Sequence, residues 1–176
     1  MTLAYITLKG RGRTDAFIAK AAHALMRDGL RLCGTVRAAA PAPAGHPCDM
    51  DLRILPDGPD YRISQSLGPG ARGCRLDSGV IEAIASDVET RLDRTDLLIV
   101  NKFGKLEAQG RGLCPAMTQA LDADIPVLVG VNAMNLDDFL EFSDGMATSL
   151  PPSLDTLRTW ARQTSAKARA GLPMPS

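Results

Sequence analysis

Short apolar runs that alternate with amphipathic segments are the feature of this sequence that most restricts its fold. Residues 3–8 (LAYITL), 95–100 and 126–131 (PVLVGV) have the pattern of strands buried on both faces of a sheet. Helices are predicted between them, because apolar residues recur every three or four positions near 15–28 and 79–92. Strands that alternate with helices form a parallel sheet covered on both faces.

The remaining segments extend this pattern. Two alternating runs, DMDLRIL and DYRISQ, flank Pro56–Pro59 and predict an antiparallel hairpin. The other predicted elements are a strand at about 31–36 and helices near 114–122, 136–142 and 153–169. We therefore predict an α/β fold with three layers, a mostly parallel sheet and a small antiparallel hairpin insertion. Residues 1–170 are expected to form one domain, followed by a flexible tail at 171–176.

Composition excludes several classes of function. The 176 residues contain 20 Lys and Arg against 20 Asp and Glu, so no general nucleic-acid-binding surface is expected. The sequence has neither a signal-peptide pattern nor an apolar stretch of transmembrane length, and we predict a cytoplasmic protein without membrane insertion. The four cysteines form no CxxC pair and are expected to be reduced thiols.

A glycine-rich loop follows the first predicted strand. Its residues Gly10, Arg11, Gly12, Arg13 and Thr14 precede the first helix, where backbone N–H groups and the helix dipole favour an anion. The end of this loop resembles the Gly-Lys-Thr end of the phosphate-loop motif. The match is incomplete, because arginine replaces lysine and the earlier glycine of a longer loop is missing. The alternative is an ordinary turn between strand and helix.

The segment LLIVNKFGKLE resembles a nucleotide-hydrolysing site without its acids. A hydrolase places a carboxylate after the apolar strand to hold magnesium, whereas this chain has Asn101 and Lys102 there. Asparagine offers no charge, and lysine repels a metal ion. Glu107 is the nearby carboxylate that remains, and it is the candidate catalytic residue. The alternative is a solvated polar turn.

Basic residues accompany glycines in several loops. Glycines allow successive N–H groups to form an anion-binding nest, and arginine matches oxyanion geometry. Loops at the carboxyl ends of parallel strands meet at one edge, so Lys9–Thr14, Asn101–Gly112 and Asn132–Asn135 are expected to share one mouth. Ordinary surface solvation is the alternative. The predicted ligand-binding residues outside the first loop are Asn101 and the basic residues Arg72, Arg75, Lys102, Lys105 and Arg111.

Metal-capable groups occur in another region of the chain. His46, Cys48, Asp49, Asp51 and Cys74 do not have the spacing that zinc sites commonly use. No metal site is therefore predicted.

Several motifs taken together resemble a known family. With Arg37, CDMDLRIL, ISQSLGPGARGCRLDSG, LLIVNKFGKLEAQGRGL and PVLVGVN in this order, the chain resembles the bacterial family called domain of unknown function 2478, over roughly residues 3–152. That family's genes often lie beside molybdenum transport systems. The resemblance thus implies a link to molybdate or to molybdenum enzymes.

A more distant similarity is to the small nucleoside triphosphatases of archaea and bacteria. Their Asp-Glu-x-Gly-Lys-x-Glu motif is matched at its end by Gly104, Lys105 and Glu107, while Asn101 and Lys102 replace its acids. This resemblance implies a phosphate-loop NTPase type of fold with degenerate motifs. It does not extend to hydrolysis, because the metal-holding groups are the ones replaced.

These observations lead to one hypothesis and two alternatives. The chain is predicted to bind a nucleotide (ATP or GTP) or a small oxyanion such as molybdate or phosphate without efficient turnover. It would serve molybdenum metabolism as a sensor, chaperone or carrier, with molybdenum transport proteins or molybdoenzymes as partners. One alternative is an active nucleoside triphosphatase that uses Glu107. The other is a protein-interaction adaptor on a nucleotide-binding scaffold.

Overall fold

The computed structural model describes residues 2–38, 50–65 and 75–171. Its strands are β1 (Leu3–Ile6), β2 (Leu32–Arg37), β3 (Asp51–Ile54), β4 (Asp60–Arg62), β5 (Ser64–Gln65), β6 (Arg75–Leu76), β7 (Leu97–Phe103), β8 (Val127–Val131) and β9 (Thr148–Ser149). Its helices are α1 (Arg13–Arg27), α2 (Ser78–Thr90), α3 (Lys105–Ala108), α4 (Cys114–Asp122), α5 (Leu136–Phe142) and α6 (Leu154–Gly171).

The main sheet has seven strands in the order β4-β3-β2-β7-β8-β1-β9. From β2 to β9 all neighbouring strands are parallel, whereas β3 and β4 form an antiparallel extension beside β2. A separate small sheet pairs β5 with β6. The predicted α/β class, the mostly parallel sheet and the antiparallel hairpin are confirmed.

Strand β7 begins with consecutive apolar residues because both of its faces are buried. Leu98 and Val100 pack into the core cluster that includes residues of α2, α4 and α5. Leu97 and Ile99 point to the other face and pack with residues of α1 and α6. Both faces of the strand are therefore buried between helices, as parallel strands require.

Strand β7 is irregular where it reaches the edge of the sheet. Val100 pairs with Val129 and Phe103 pairs with Val131, so Asn101 and Lys102 together lie opposite the single residue Gly130. A Cβ at Gly130 would collide with the carbonyl oxygen of Asn101, and glycine is therefore required there. This β-bulge turns the side chains of residues 101 and 102 out of the regular alternation.

Within the residues that the structure describes, no helix is long and apolar enough to cross a membrane. Residues 172–176, which make up most of the predicted tail, lie outside the described residues.

Candidate functional site

A cavity of about 310 Å³ opens at the edge of the sheet where the parallel strands end. One side of it is polar and is formed by the ends of β2 and β7, the turn after β7 and the first turn of α1. The rest of the lining, its apolar side, comes mainly from β3, β6 and α2 and includes the charged residue Asp51 of β3. The residues of its polar side include Asp15, Arg37, Asn101, Lys102, Lys105 and Glu107.

Asn101 is buried and connects three elements at this edge. Its Oδ1 accepts a hydrogen bond from the backbone N–H of Arg37 at 3.0 Å, and its Nδ2 donates to Asp15 Oδ1 at 3.4 Å. Its own backbone N–H donates to the hydroxyl of Thr35 at 3.4 Å. An amide can satisfy this arrangement because it both donates and accepts, whereas a carboxylate only accepts. Asn101 thus joins β7 to β2 and α1.

Arg37 links this edge to the glycine loop. It is the last residue of β2 and lies in the cavity wall, and a Cβ at Gly12 would lie 3.3 Å from its Nη1. The guanidinium therefore sits against the N-terminus of α1, where anions are otherwise favoured. Arg37 was not among the ligand-binding residues predicted from the sequence. Its position at the end of a predicted parallel strand was the available signal.

Lys102 and Lys105 supply positive charge at the same edge. Both are exposed and both line the cavity, one from the bulge of β7 and the other from the first position of α3. Across the part of the chain that the structure describes, neither they nor Arg37 has a carboxylate within ion-pair distance. Their charge is available to an anion in the cavity.

Glu107 is buried and bound to the backbone of its own loop. Its Oε2 accepts from the N–H of Gly104 at 3.0 Å, and its Oε1 accepts from the N–H of Leu113 at 3.2 Å. A Cβ at Gly112 would collide with Oε1, so the chain packs closely around the carboxylate. Both oxygens hold the segment between Gly104 and Leu113 in shape. The catalytic role of Glu107 stays a prediction.

The glycine loop does not line the cavity through its predicted ligand-binding residues. Arg11 and Arg13 are exposed, and the Arg13 side chain folds back over Gly10. Thr14 is buried, and its hydroxyl accepts from the N–H of Leu8 at 3.1 Å. Gly12 has a left-handed conformation with φ 71° and caps α1 without a side-chain hydrogen bond. Asp15, one residue beyond the loop, is the part of α1 that reaches the cavity.

The other predicted basic residues have separate positions. Arg111 forms an ion pair with Glu82 at 3.3 Å and does not line the cavity. Arg75 lies in β6, where the structure describes its backbone alone, and Arg72 lies outside the described residues. The structure thus brings Asn101, Lys102, Lys105 and Glu107 together at the cavity.

Two of the cysteines are buried free thiols, as expected of reduced cysteines in a core. Burial raises the pKa of Cys33, and burial together with the nearby charge of Glu107 raises the pKa of Cys114. Both thiols are therefore held in the unreactive protonated form. His46, Cys48, Asp49 and Cys74 lie outside the described residues, and Asp51 is paired with Arg62 at 3.0 Å.

The family model for proteins of unknown function DUF2478 matches residues 3–160. The chain belongs to the DUF2478 family. This confirms the resemblance carried by the glycine-basic motifs.

This DUF2478 chain is also similar to a longer curated protein. It is 32% identical over 168 residues to the molybdenum import ATP-binding protein ModC 2 of Bradyrhizobium diazoefficiens. The match covers 95% of this chain and 19% of that protein, so the chain spans about a fifth of its length.

A solved structure shares the fold of this DUF2478 protein. The solution structure of a human cancer-related nucleoside triphosphatase superposes with a TM-score of 0.60, covering 98% of this chain and 100% of the other. Sequence identity is 13%, so the likeness concerns the fold. The two proteins share a fold, as the distant resemblance to the small nucleoside triphosphatases implied.

Proposed function

We propose that this protein is a cytoplasmic anion-binding protein that holds a nucleotide or a small oxyanion without efficient hydrolysis. The observation that carries the proposal is the edge formed by Arg37, Lys102 and Lys105 around the buried amide of Asn101. In a hydrolase, a metal ion at this place neutralises phosphate charge. Here the side chains of the protein supply the positive charge directly.

The acids of the cavity support a site that does not need a metal ion. Asp15 accepts a hydrogen bond from Asn101, Asp51 pairs with Arg62, and both oxygens of Glu107 accept from backbone N–H groups. These contacts restrain all three carboxylates. A negatively charged ligand therefore meets cations that have no ion-pair partner among the described residues, and carboxylates that already have partners.

A role in molybdenum metabolism is the more specific part of the proposal. The ModC 2 protein is named for molybdenum import, and this chain matches a fifth of its length. Molybdate is accordingly one of the anions to be tested. A role as sensor, chaperone or carrier beside a molybdenum importer follows if molybdate binds.

The test is isothermal titration of the chain with ATP, GTP, phosphate and molybdate, with and without Mg²⁺. At least one anion should bind without Mg²⁺. The double variant Lys102→Ala/Lys105→Ala should weaken that binding by about tenfold or more, which corresponds to about 1.4 kcal/mol. Lys167→Ala is the matched control, because Lys167 is also exposed but lies on α6.

Two results would contradict the proposal. Absence of binding by all four anions would leave the adaptor alternative, in which the fold serves only as a scaffold. Phosphate release above background that disappears in Glu107→Gln would support the active triphosphatase instead.

A further inference from the structure

The apolar side of the cavity is not explained by a small inorganic anion. Its wall is formed by Leu52 of β3, Ile81 and Ile84 of α2, and Leu76 of β6. An oxyanion is stabilised by N–H and cationic groups and loses hydration against an apolar surface. An apolar wall is favourable only for a ligand that has an apolar body.

The size of the cavity leads to the same conclusion. Its volume of about 310 Å³ lies at the lower end of the range for pockets that take organic ligands, roughly 300 to 1,000 Å³. A tetrahedral anion at Lys102 and Lys105 would leave most of this space to water.

Exposed apolar side chains mark the opening of the cavity. Leu76 is 45% exposed and Met134 is 87% exposed, and both line it. Neither residue belongs to the core clusters of the described chain. A ligand body seated in the cavity would cover part of their surface.

The cationic side chains of the cavity come from other elements, and Asp51 of β3, which also lines the cavity, is paired with Arg62. Lys102 and Lys105 come from the end of β7 and the start of α3, and Arg37 comes from the end of β2. The cavity therefore has a cationic end and an apolar end. This polarity matches a molecule with one acidic head and one apolar ring body.

We infer that the cavity binds an organic anion with an aromatic or heterocyclic body, whose acidic head lies at Lys102 and Lys105 and whose ring lies between α2 and β3. The inference rests on the proposed anion-binding function and specifies its ligand class. A nucleoside monophosphate and an aromatic sulfonate share this chemistry. Phosphate and molybdate have the acidic head but no apolar body.

The experiment separates the two halves of the ligand. Titrations use AMP, GMP and 1-anilinonaphthalene-8-sulfonate as complete ligands, phosphate and molybdate as heads without a body, and adenosine as a body without a head. At least one complete ligand should bind tenfold or more tightly than phosphate, molybdate and adenosine. A preference for the nucleotides or for the sulfonate distinguishes the two sources of this chemistry.

Two matched variants test the location of the ring. Leu76→Gln should weaken binding of the complete ligand about tenfold and leave phosphate binding unchanged. Met146→Gln should change neither, because Met146 is 60% exposed and does not line the cavity. Both positions are exposed, so both variants are expected to fold.

Different results would contradict the inference about the ligand class and the proposal of anion binding. Inorganic anions that bind as tightly as AMP, GMP and the sulfonate would overturn the inference and leave the proposed function standing, as would an unaffected Leu76→Gln. A sulfonate that binds independently of Lys102 and Lys105 would also overturn it. No binding by any probe would remove both proposals.

Discussion

Glu107 has a structural role that can be tested apart from its predicted catalytic role. Its two oxygens accept from the N–H groups of Gly104 and Leu113, at 3.0 and 3.2 Å. Glu107→Gln puts an amide N–H₂ against one of these donors, so a buried donor loses its acceptor. We expect a loss of about 1–3 kcal/mol in the free energy of unfolding, measured by urea denaturation.

The control for this variant is Glu141→Gln, since Glu141 is exposed on α5. It should change stability by less than about 0.5 kcal/mol. A Glu107→Gln protein as stable as the native chain would contradict the structural assignment.

Asn101 offers a prediction about charge. Asn101→Asp keeps an acceptor for the N–H of Arg37 but places a carboxylate against that of Asp15, where the amide now donates at 3.4 Å. Repulsion raises the pKa of the new carboxyl in the folded state above the unfolded value of about 4. The variant should therefore match the native chain most closely below about pH 4 and lose roughly 1–3 kcal/mol as the pH rises to neutrality.

Magnesium provides the second arm of this experiment. Two neighbouring carboxylates suit a hard divalent cation, so Mg²⁺ should raise the melting temperature of Asn101→Asp at pH 7 and leave the native protein unchanged. Asn101→Ala separates the lost hydrogen bonds from the added charge and should show neither effect. A penalty in Asn101→Asp that does not vary with pH would contradict the prediction.

Individual site residues were predictable only where the sequence breaks a pattern. Lys102 interrupts an apolar strand, and Asn101 stands where an acid is expected, so both were selected from the sequence. Arg37 and Asp15 do not break the expected pattern, because a charged residue is common at the end of a strand or in the first turn of a helix. Their role depends on how α1 lies over β2, which is a tertiary property.

The bulge in β7 permits a test at the level of a single strand. Val100 and Phe103 belong to the same core cluster although three positions separate them, because Asn101 and Lys102 share one partner position opposite Gly130. Deleting Lys102 should restore regular alternation and leave the core residues on their faces. That variant should fold, lose little helical circular dichroism and bind anions weakly.

Deleting Ile99 is the matched comparison. It moves Val100 to the opposite face of the sheet and carries Asn101 toward the apolar core. That protein should not fold cooperatively. Equal urea midpoints for the two deletions would show that the bulge is not a separate, removable feature.

Element types were more predictable than their irregularities. The helices at 114–122 and 136–142 have the predicted bounds, and α1 begins two residues earlier than expected, at Arg13. The two-residue strand β9 and the one-turn helix α3 were missed, because such short segments carry no periodicity. The bulge was missed for a related reason, since the polar residues at its position also fit the end of a strand.

At the scale of the whole molecule, the order of the strands decides what the loops can do together. The three loops predicted to share a mouth do lie at one edge, but β1 is separated from β7 by β8. Asn101, Lys102 and Asn135 therefore line the cavity, while Gly10 to Thr14 do not line it and Gly12 lies beside the guanidinium of Arg37. Local patterns do not determine strand order, so the separation could not be predicted from the sequence.

The net charge of the chain is zero, so we expect the salt and metal dependence of anion binding to come from the cations at this edge. With ATP as the probe, we expect an increase in melting temperature that EDTA does not reduce, since no metal is needed for binding. Mg²⁺ should diminish the increase because it neutralises the phosphates that Lys102 and Lys105 attract, whereas a magnesium-dependent triphosphatase shows the opposite sign. Because both lysines are exposed, raising NaCl from about 0.1 M to about 1 M should also weaken binding, as the screening length falls from about 10 Å to about 3 Å. Stronger ATP binding in Mg²⁺ would contradict the proposal that these lysines take the place of the metal ion's charge.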